Sequence, residues 1–180
     1  MLYSELQCSD AIHKAVERMG FAEMTEIQEK TIPVMMAGYD VIAKARTGKT
    51  CAFGIPVAEH ILPENKYPQA VIMAPTRELA QQIAQELEEL TYFMPEVQVA
   101  CVYGGANMEK QAKRLAEGCQ IVVATPGRLM DHYKHHSIDI SHVTQIVLDE
   151  ADEMLNMGFY KDVRHIIEMM KARKSLSMFS

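Results

Sequence analysis

Five short runs of apolar, mostly β-branched residues recur along the chain: DVIAKA (40 to 45), AVIMAP (70 to 75), VQVACVY (97 to 103), QIVVAT (120 to 125) and TQIVLDE (144 to 150). They are continuous rather than alternating, the pattern of strands covered by protein on both faces. Segments with helical rhythm separate them. In Thr76 to Tyr92 the apolar residues Leu79, Ile83, Leu87 and Leu90 fall four, four and three apart, which draws one core-facing stripe. Strands that alternate with helices imply a parallel sheet with right-handed crossovers, so the fold class is α/β, doubly wound and mostly parallel. Two helices precede the first run. Ser9 can cap one that turns Ile12, Ala15, Val16 and Met19 inward and stops at Gly20; Thr25 can cap the next, which stops at Gly38. Residues 1–38 are thus expected as a helical pair ahead of the sheet and 39–180 as the sheet domain, together one structural unit. SLSMFS (175 to 180) reads as the start of a sixth strand cut short, so truncation is expected.

Composition narrows the partners. Apolar residues make up 48% and charged residues 23% of the 180, ordinary globular usage with enough chain to bury a core without metals or disulfides. The 18 basic residues against 24 acidic ones leave a formal charge of −6, which argues against bulk electrostatic binding of nucleic acid; any such partner must be held by a local site. The four cysteines are far apart, with no CxxC pair or zinc spacing, which fits a reducing compartment. Glu5, Asp10, Glu17, Glu23 and Glu26 interrupt any signal-peptide core, and no apolar run approaches 18 residues. A monomeric cytoplasmic domain with no membrane partner is the expectation.

Ligands of open α/β sheets bind at the carboxyl ends of the strands, so the residues after each run matter most. After the first comes ARTGKT (45 to 50), the tail of a phosphate loop in which backbone N–H groups cradle phosphates, Lys49 reaches the β and γ phosphates and Thr50 ligates Mg²⁺. Alone, GKT could equally be a glycine turn with a solvated lysine. The fifth run ends in Asp149, Glu150, Ala151 and Asp152, an acidic pair closing a buried strand: one carboxylate for a magnesium shell, the next to polarise water. A solvated acidic helix start is the alternative. With GKT expected on a neighbouring strand, the Walker B arrangement is favoured.

Together with DEAD (149 to 152), the segments GFxxxTxIQ (20 to 28), PTRELAQQ (75 to 82), YGG (103 to 105) and TPGR (125 to 128) make the chain resemble the first RecA-like P-loop domain of a DEAD-box RNA helicase along its whole length. The resemblance implies ATP and Mg²⁺ as cofactors, and RNA and a second RecA-like domain as partners. It implies catalysis by Glu150, Asp149 and Lys49, with Thr50 and Asp149 towards the metal. Tyr3, Glu23, Gln28, Thr47, Gly48, Lys49 and Thr50 would bind nucleotide, Tyr3 by flanking the adenine and Gln28 by reading its edge. Gln28 also completes a capping box with Thr25, and both roles could coexist. Thr76, Arg77, Gly104, Gly105, Thr125, Pro126, Gly127 and Arg128 match motifs that grip an RNA backbone without reading bases. Thr76 and Thr125 could equally be helix caps and the glycines a simple turn. Asp152 and Ser180 would couple hydrolysis to domain closure.

One departure stands out. The family's phosphate loop reads AxTGxGKT, whereas this chain runs ARTGKT. Keeping the strand, Arg46, Thr47 and Gly48 in register leaves the loop two residues short. Two residues supply about 7 Å of contour and two donors, so weakened ATP binding is expected. A non-catalytic RNA-binding or scaffold domain is therefore the rival reading, and a DNA helicase of the same superfamily is disfavoured by the literal DEAD with the glutamine motif.

Overall fold

The apolar runs pair as one all-parallel sheet in the computed structural model, which describes residues 1–180. In chain order the strands are β1 (Ile42–Ala43), β2 (Ala70–Met73), β3 (Val99–Val102), β4 (Ile121–Ala124), β5 (Gln145–Asp149) and β6 (Ser175–Phe179), laid side by side as β1-β6-β5-β2-β4-β3. The helices are α1 (Asp10–Arg18), α2 (Glu26–Met36), α3 (Lys49–Glu59), α4 (Arg77–Leu90), α5 (Met108–Ala116), α6 (Pro126–Lys134), α7 (Ala151–Asn156) and α8 (Tyr160–Met169), after a 3-10 turn at Tyr3–Glu5. No helix is long and apolar enough to cross a membrane.

The pleat explains why the runs are continuous. Successive side chains point to opposite faces, and two cores result. Ile72, Ile121, Val123, Val147 and Phe179 join α1 to α4 on one face; Val71, Met73, Val122, Ile146 and Leu148 join α5 to α8 on the other. Helices therefore cover both faces, as the doubly wound expectation requires. Three of the four α4 stripe residues, Ile83, Leu87 and Leu90, are fully buried, whereas Leu79, in the first turn, is half-buried. Ser9 Oγ accepts from Ile12 N and Thr25 Oγ1 from Gln28 N, while Gly20 and Gly38 close α1 and α2 at positive φ. Ile12, Val16 and Ile32 share the core of Phe53 and Phe179, so residues 1–38 pack onto the sheet domain directly.

Two expectations need correction. The first run is not covered on both faces: only two of its residues form a strand, and Ile42 is 86% exposed, because β1 is an edge with β6 as its single neighbour. Nor is the strand carrying GKT adjacent to the one carrying the acidic pair. β6 lies between them, in register with both (Met178 beside Ile42 and Leu148), so Ser180 emerges between the two motifs.

Helix α6 buries His132 completely, with Nδ1 2.7 Å from Ser137 Oγ and Nε2 3.0 Å from Gln111 Oε1. Burial, helped by the nearby Arg128 cation and His135 and opposed by Asp131, holds its pKa below the usual 6.5. An unfolded chain takes up that proton first, so this contribution to stability is complete above about pH 6.5 and is lost as pH falls towards the folded-state pKa. Urea unfolding at pH 7.5 and 5.5 is expected to show a loss that His132→Gln reduces; equal losses in both proteins would exclude His132 as the source.

Candidate functional site

The carboxyl edge of the sheet divides into two halves. On the β1-β6-β5 side, Ala45 N donates to Ser180 O at 3.0 Å, and α3 begins at Lys49. Only Arg46, Thr47 and Gly48 connect the two fixed points, so the shortening falls wholly in the loop. Gly48 caps α3 at φ +79°, and its carbonyl accepts from Ala52 N and from Gln28 Nε2. None of the six successive N–H groups from Arg46 to Cys51 donates to a backbone carbonyl. Unpaired donors at a helix start form an anion site.

Across β6, the Lys49 ammonium pairs with Glu150 and lies 3.4 Å from Asp149 Oδ1. Both groups are largely withdrawn from water, the side chains of Lys49 and Asp149 being 12% and 2% exposed. Burial works against the charged Lys49, but the two carboxylates outweigh it and hold its pKa above the ordinary value. Burial raises the Asp149 pKa, and Lys49 opposes that rise. Glu150 sits at φ +52°, ψ +48°, a left-handed conformation that costs a non-glycine residue about 1 kcal/mol. That turn aims its carboxylate back over Lys49 at the start of α7.

These groups line one cavity of about 460 Å³, a size typical of small-ligand clefts. Glu23, Gln28, Thr47, Gly48, Thr50 and Tyr3 line it too, as the resemblance implies. Their geometry refines two expectations. Gln28 is buried, and its Oε1 accepts both from Thr25 N at 3.0 Å and from the Tyr3 hydroxyl. The capping box therefore forms, and one Nε2 hydrogen remains free for a ligand. Tyr3 is only 3% exposed and stacks behind Phe21, centroids 6.4 Å apart, whereas Phe21 is 44% exposed. Phe21 is thus the accessible aromatic face, a residue that sequence reasoning quoted within its motif without assigning it. Glu86 was missed as well. It lies within the apolar stripe of α4, in phase with Leu79 and Ile83, an acid on a buried face; burial raises its pKa and the Thr50 hydroxyl opposes this.

An alanine at Gly48 would place Cβ 2.4 Å from Thr25 Oγ1 and 3.0 Å from Gln28 Nε2, at a φ that L residues avoid. Gly48→Ala is expected to destabilise the chain by about 2 to 4 kcal/mol. Urea unfolding measures it, and a change below 1 kcal/mol would show that this packing is slack.

On the β2-β4-β3 side the remaining motifs converge. Thr76 caps α4, its Oγ1 accepting from Leu79 N at 3.2 Å, while Arg77 lies 4.7 Å above the Tyr103 ring. Gly105 turns at φ +84°, with the Arg77 guanidinium 3.8 Å from where its Cβ would be. Thr125 occupies the N-cap position of α6 with Pro126 next, but its hydroxyl makes no cap bond, unlike that of Thr76. Gly127 and Arg128 follow in the first turn. The Arg128 side chain is only 13% exposed; Nη1 donates to Ala106 O at 2.9 Å and Gln111 Oε1 at 3.1 Å, and Nε lies 3.5 Å from Asp131. Asp152 is exposed, its carboxylate accepting from Glu153 N, and it makes no hydrogen bond with Ser180.

Residues 25–180 match the DEAD/DEAH box helicase family. The chain is 48% identical to the ATP-dependent RNA helicase CshA of Limosilactobacillus reuteri, over all of this chain and 36% of that protein. It is 44% identical to the DEAD-box ATP-dependent RNA helicase CshA of Geobacillus kaustophilus, over 99% of this chain and 37% of that one. The chain thus spans about a third of the length of these relatives. The first alignment runs over 182 positions, two more than the 180 residues here, so it includes positions of the relative with no counterpart in this chain. Among solved structures, the DEAD box protein from Methanococcus jannaschii superposes with a TM-score of 0.91 at 41% identity, covering 100% of this chain and 50% of that one.

Proposed function

The chain belongs to the DEAD/DEAH box helicase family, and on that footing we propose that it is the ATP-binding, RNA-gripping first domain of a cytoplasmic ATP-dependent RNA helicase that acts with a second RecA-like domain. The observation that carries the reading is the divided carboxyl edge: the acid-lysine cluster and the unpaired N–H groups around one cavity on one half, the threonine, glycine and arginine motifs on the other.

In this reading the N–H groups of 46 to 51 and Lys49 hold the triphosphate, and Lys49 must leave Glu150 to do so. Phe21 offers a ring face to the adenine, Tyr3 backs it, Gln28 donates its free Nε2 hydrogen to the base edge, and Glu23 borders the same opening. Thr50 and Asp149 supply the hard oxygens a magnesium ion prefers, and that ion would neutralise phosphate charge. Glu150, freed from Lys49, orients and deprotonates the attacking water. Thr76, Arg77, Gly104, Gly105 and Thr125 to Arg128 hold the RNA backbone, the uncapped Thr125 hydroxyl being free to bond it. Asp152 and Ser180 report the state of the cleft to the second domain, Ser180 through its bonded position beside Ala45.

The test is ATP turnover by a chain carrying both RecA-like domains, with and without single-stranded RNA. Stimulation by RNA is expected. RNA binding without turnover would favour the scaffold reading, which draws support only from the three-residue loop and is opposed by relatives named as helicases.

A further inference from the structure

The Gly104-Gly105 turn is exposed and has a flexible composition, yet one of its ends is tied to Gln111 directly and the other through Arg128, which Gln111 holds. Gln111, on α5, is buried. Its Nε2 donates to Tyr103 O at 3.0 Å, immediately before the turn. Its Oε1 accepts from Arg128 Nη1 at 3.1 Å, and the same Nη1 donates to Ala106 O at 2.9 Å, immediately after the turn. His132 Nε2 lies 3.0 Å from that Oε1. Because the amide donates to Tyr103, its oxygen faces Arg128 and His132. His132 must then carry its proton on Nε2, with Nδ1 accepting from the Ser137 hydroxyl at 2.7 Å. A buried amide held by three partners, one on its nitrogen and two on its oxygen, has one orientation, and it passes that orientation to the loop.

The geometry points to Gln111 as a positioning residue: we propose that it clamps both ends of the Gly104-Gly105 turn against the first turn of α6, so that the two RNA-gripping loops present one rigid surface, with His132 locking the amide. The inference rests on the reading of those loops as an RNA-backbone site. The clamp also explains why Arg128 is mostly buried: Nη1 serves the loop, and Nη2, which has no protein partner, is the edge left for a phosphate. Tyr103 extends the arrangement, since its ring lies beneath Arg77 and its hydroxyl accepts from Gln81 at 3.1 Å. Fixing the Tyr103 carbonyl therefore also fixes the floor under Arg77.

Gln111→Met keeps the side-chain length and removes both polar functions; Gln111→Glu keeps the acceptor for Arg128 and His132 but cannot donate to Tyr103. Backbone ¹⁵N order parameters across residues 103 to 107 and anisotropy of a fluorescein-labelled ten-nucleotide uridine RNA are measured on both variants and on Arg77→Ala. With Gln111→Met, the order parameters of the turn are expected to fall from the rigid range of about 0.85 to below about 0.6 and RNA affinity to fall about five- to tenfold. With Gln111→Glu, order is expected to fall at the Tyr103 end while the Ala106 end stays rigid, a signature that general loosening would not give. Unchanged order parameters in both variants overturn the clamp. Lowered order with RNA affinity held, while Arg77→Ala weakens binding, overturns its bearing on RNA. If Arg77→Ala leaves binding untouched as well, the RNA-site reading itself is what fails.

Discussion

Inserting Thr-Gly after Gly48 is expected to tighten ATP binding by about a hundredfold. The strand end is pinned by the Ala45 to Ser180 bond and the helix start by Gly48 at φ +79°, so the connection cannot borrow length from either side. Two added residues provide about 7 Å of contour and two more N–H donors. Hydrogen bonds to a charged group contribute about 1.5 to 3 kcal/mol each, so two amount to roughly 3 to 6 kcal/mol. The lower end is appropriate, because six unpaired N–H groups already belong to residues that line the cavity and part of the new binding energy goes into ordering a longer loop. Three kcal/mol is about two orders of magnitude in affinity. Calorimetric titration with ATP and Mg²⁺ compares the two chains. Micromolar binding by the unmodified chain, or no gain on insertion, would falsify the claim that loop length limits this site.

The sequence and the structure agree where a local pattern determines the outcome. Continuous apolar runs mean two covered faces, and each strand from β2 to β6 contributes to both cores. The caps at Ser9, Thr25 and Thr76 follow from side-chain chemistry within three residues. Agreement fails where neighbours distant in the chain decide. DVIAKA has the composition of a central strand, yet nothing local says that only β6 will flank it, and Ile42 is left in solvent. The same insertion of β6 separates the phosphate loop from the acidic pair, and only the reach of Lys49 across it reunites them. Motif resemblance brought nearly all the expected site residues to the two halves of one edge, but it could not say which aromatic faces the cavity. Tyr3 and Phe21 lie in one stack, and because Tyr3 belongs to the buried core while Phe21 is exposed, Phe21 is the outer ring. Thr125 and Thr76 look alike in sequence, yet only Thr76 caps its helix.

Glu150→Gln, in a chain carrying this domain with a second RecA-like domain, is expected to lower ATP turnover by at least a hundredfold while ATP binding is kept. Glutamine preserves the shape and the left-handed backbone of Glu150 but has no basic oxygen to take a proton from water, and positioned general bases contribute about 10²- to 10⁴-fold. Binding should survive because Lys49 retains Asp149 at 3.4 Å as a charged neighbour, so the ammonium stays in place. It should even tighten slightly, since Glu150 competes with phosphate for Lys49 and a neutral amide competes less. The pair of readouts separates three roles for the residue. Loss of turnover with binding kept or tightened assigns the water-activating role. Loss of both would mean that Glu150 holds Lys49 and the loop in shape. Unchanged turnover would remove it from the chemistry and leave only its contact with Lys49.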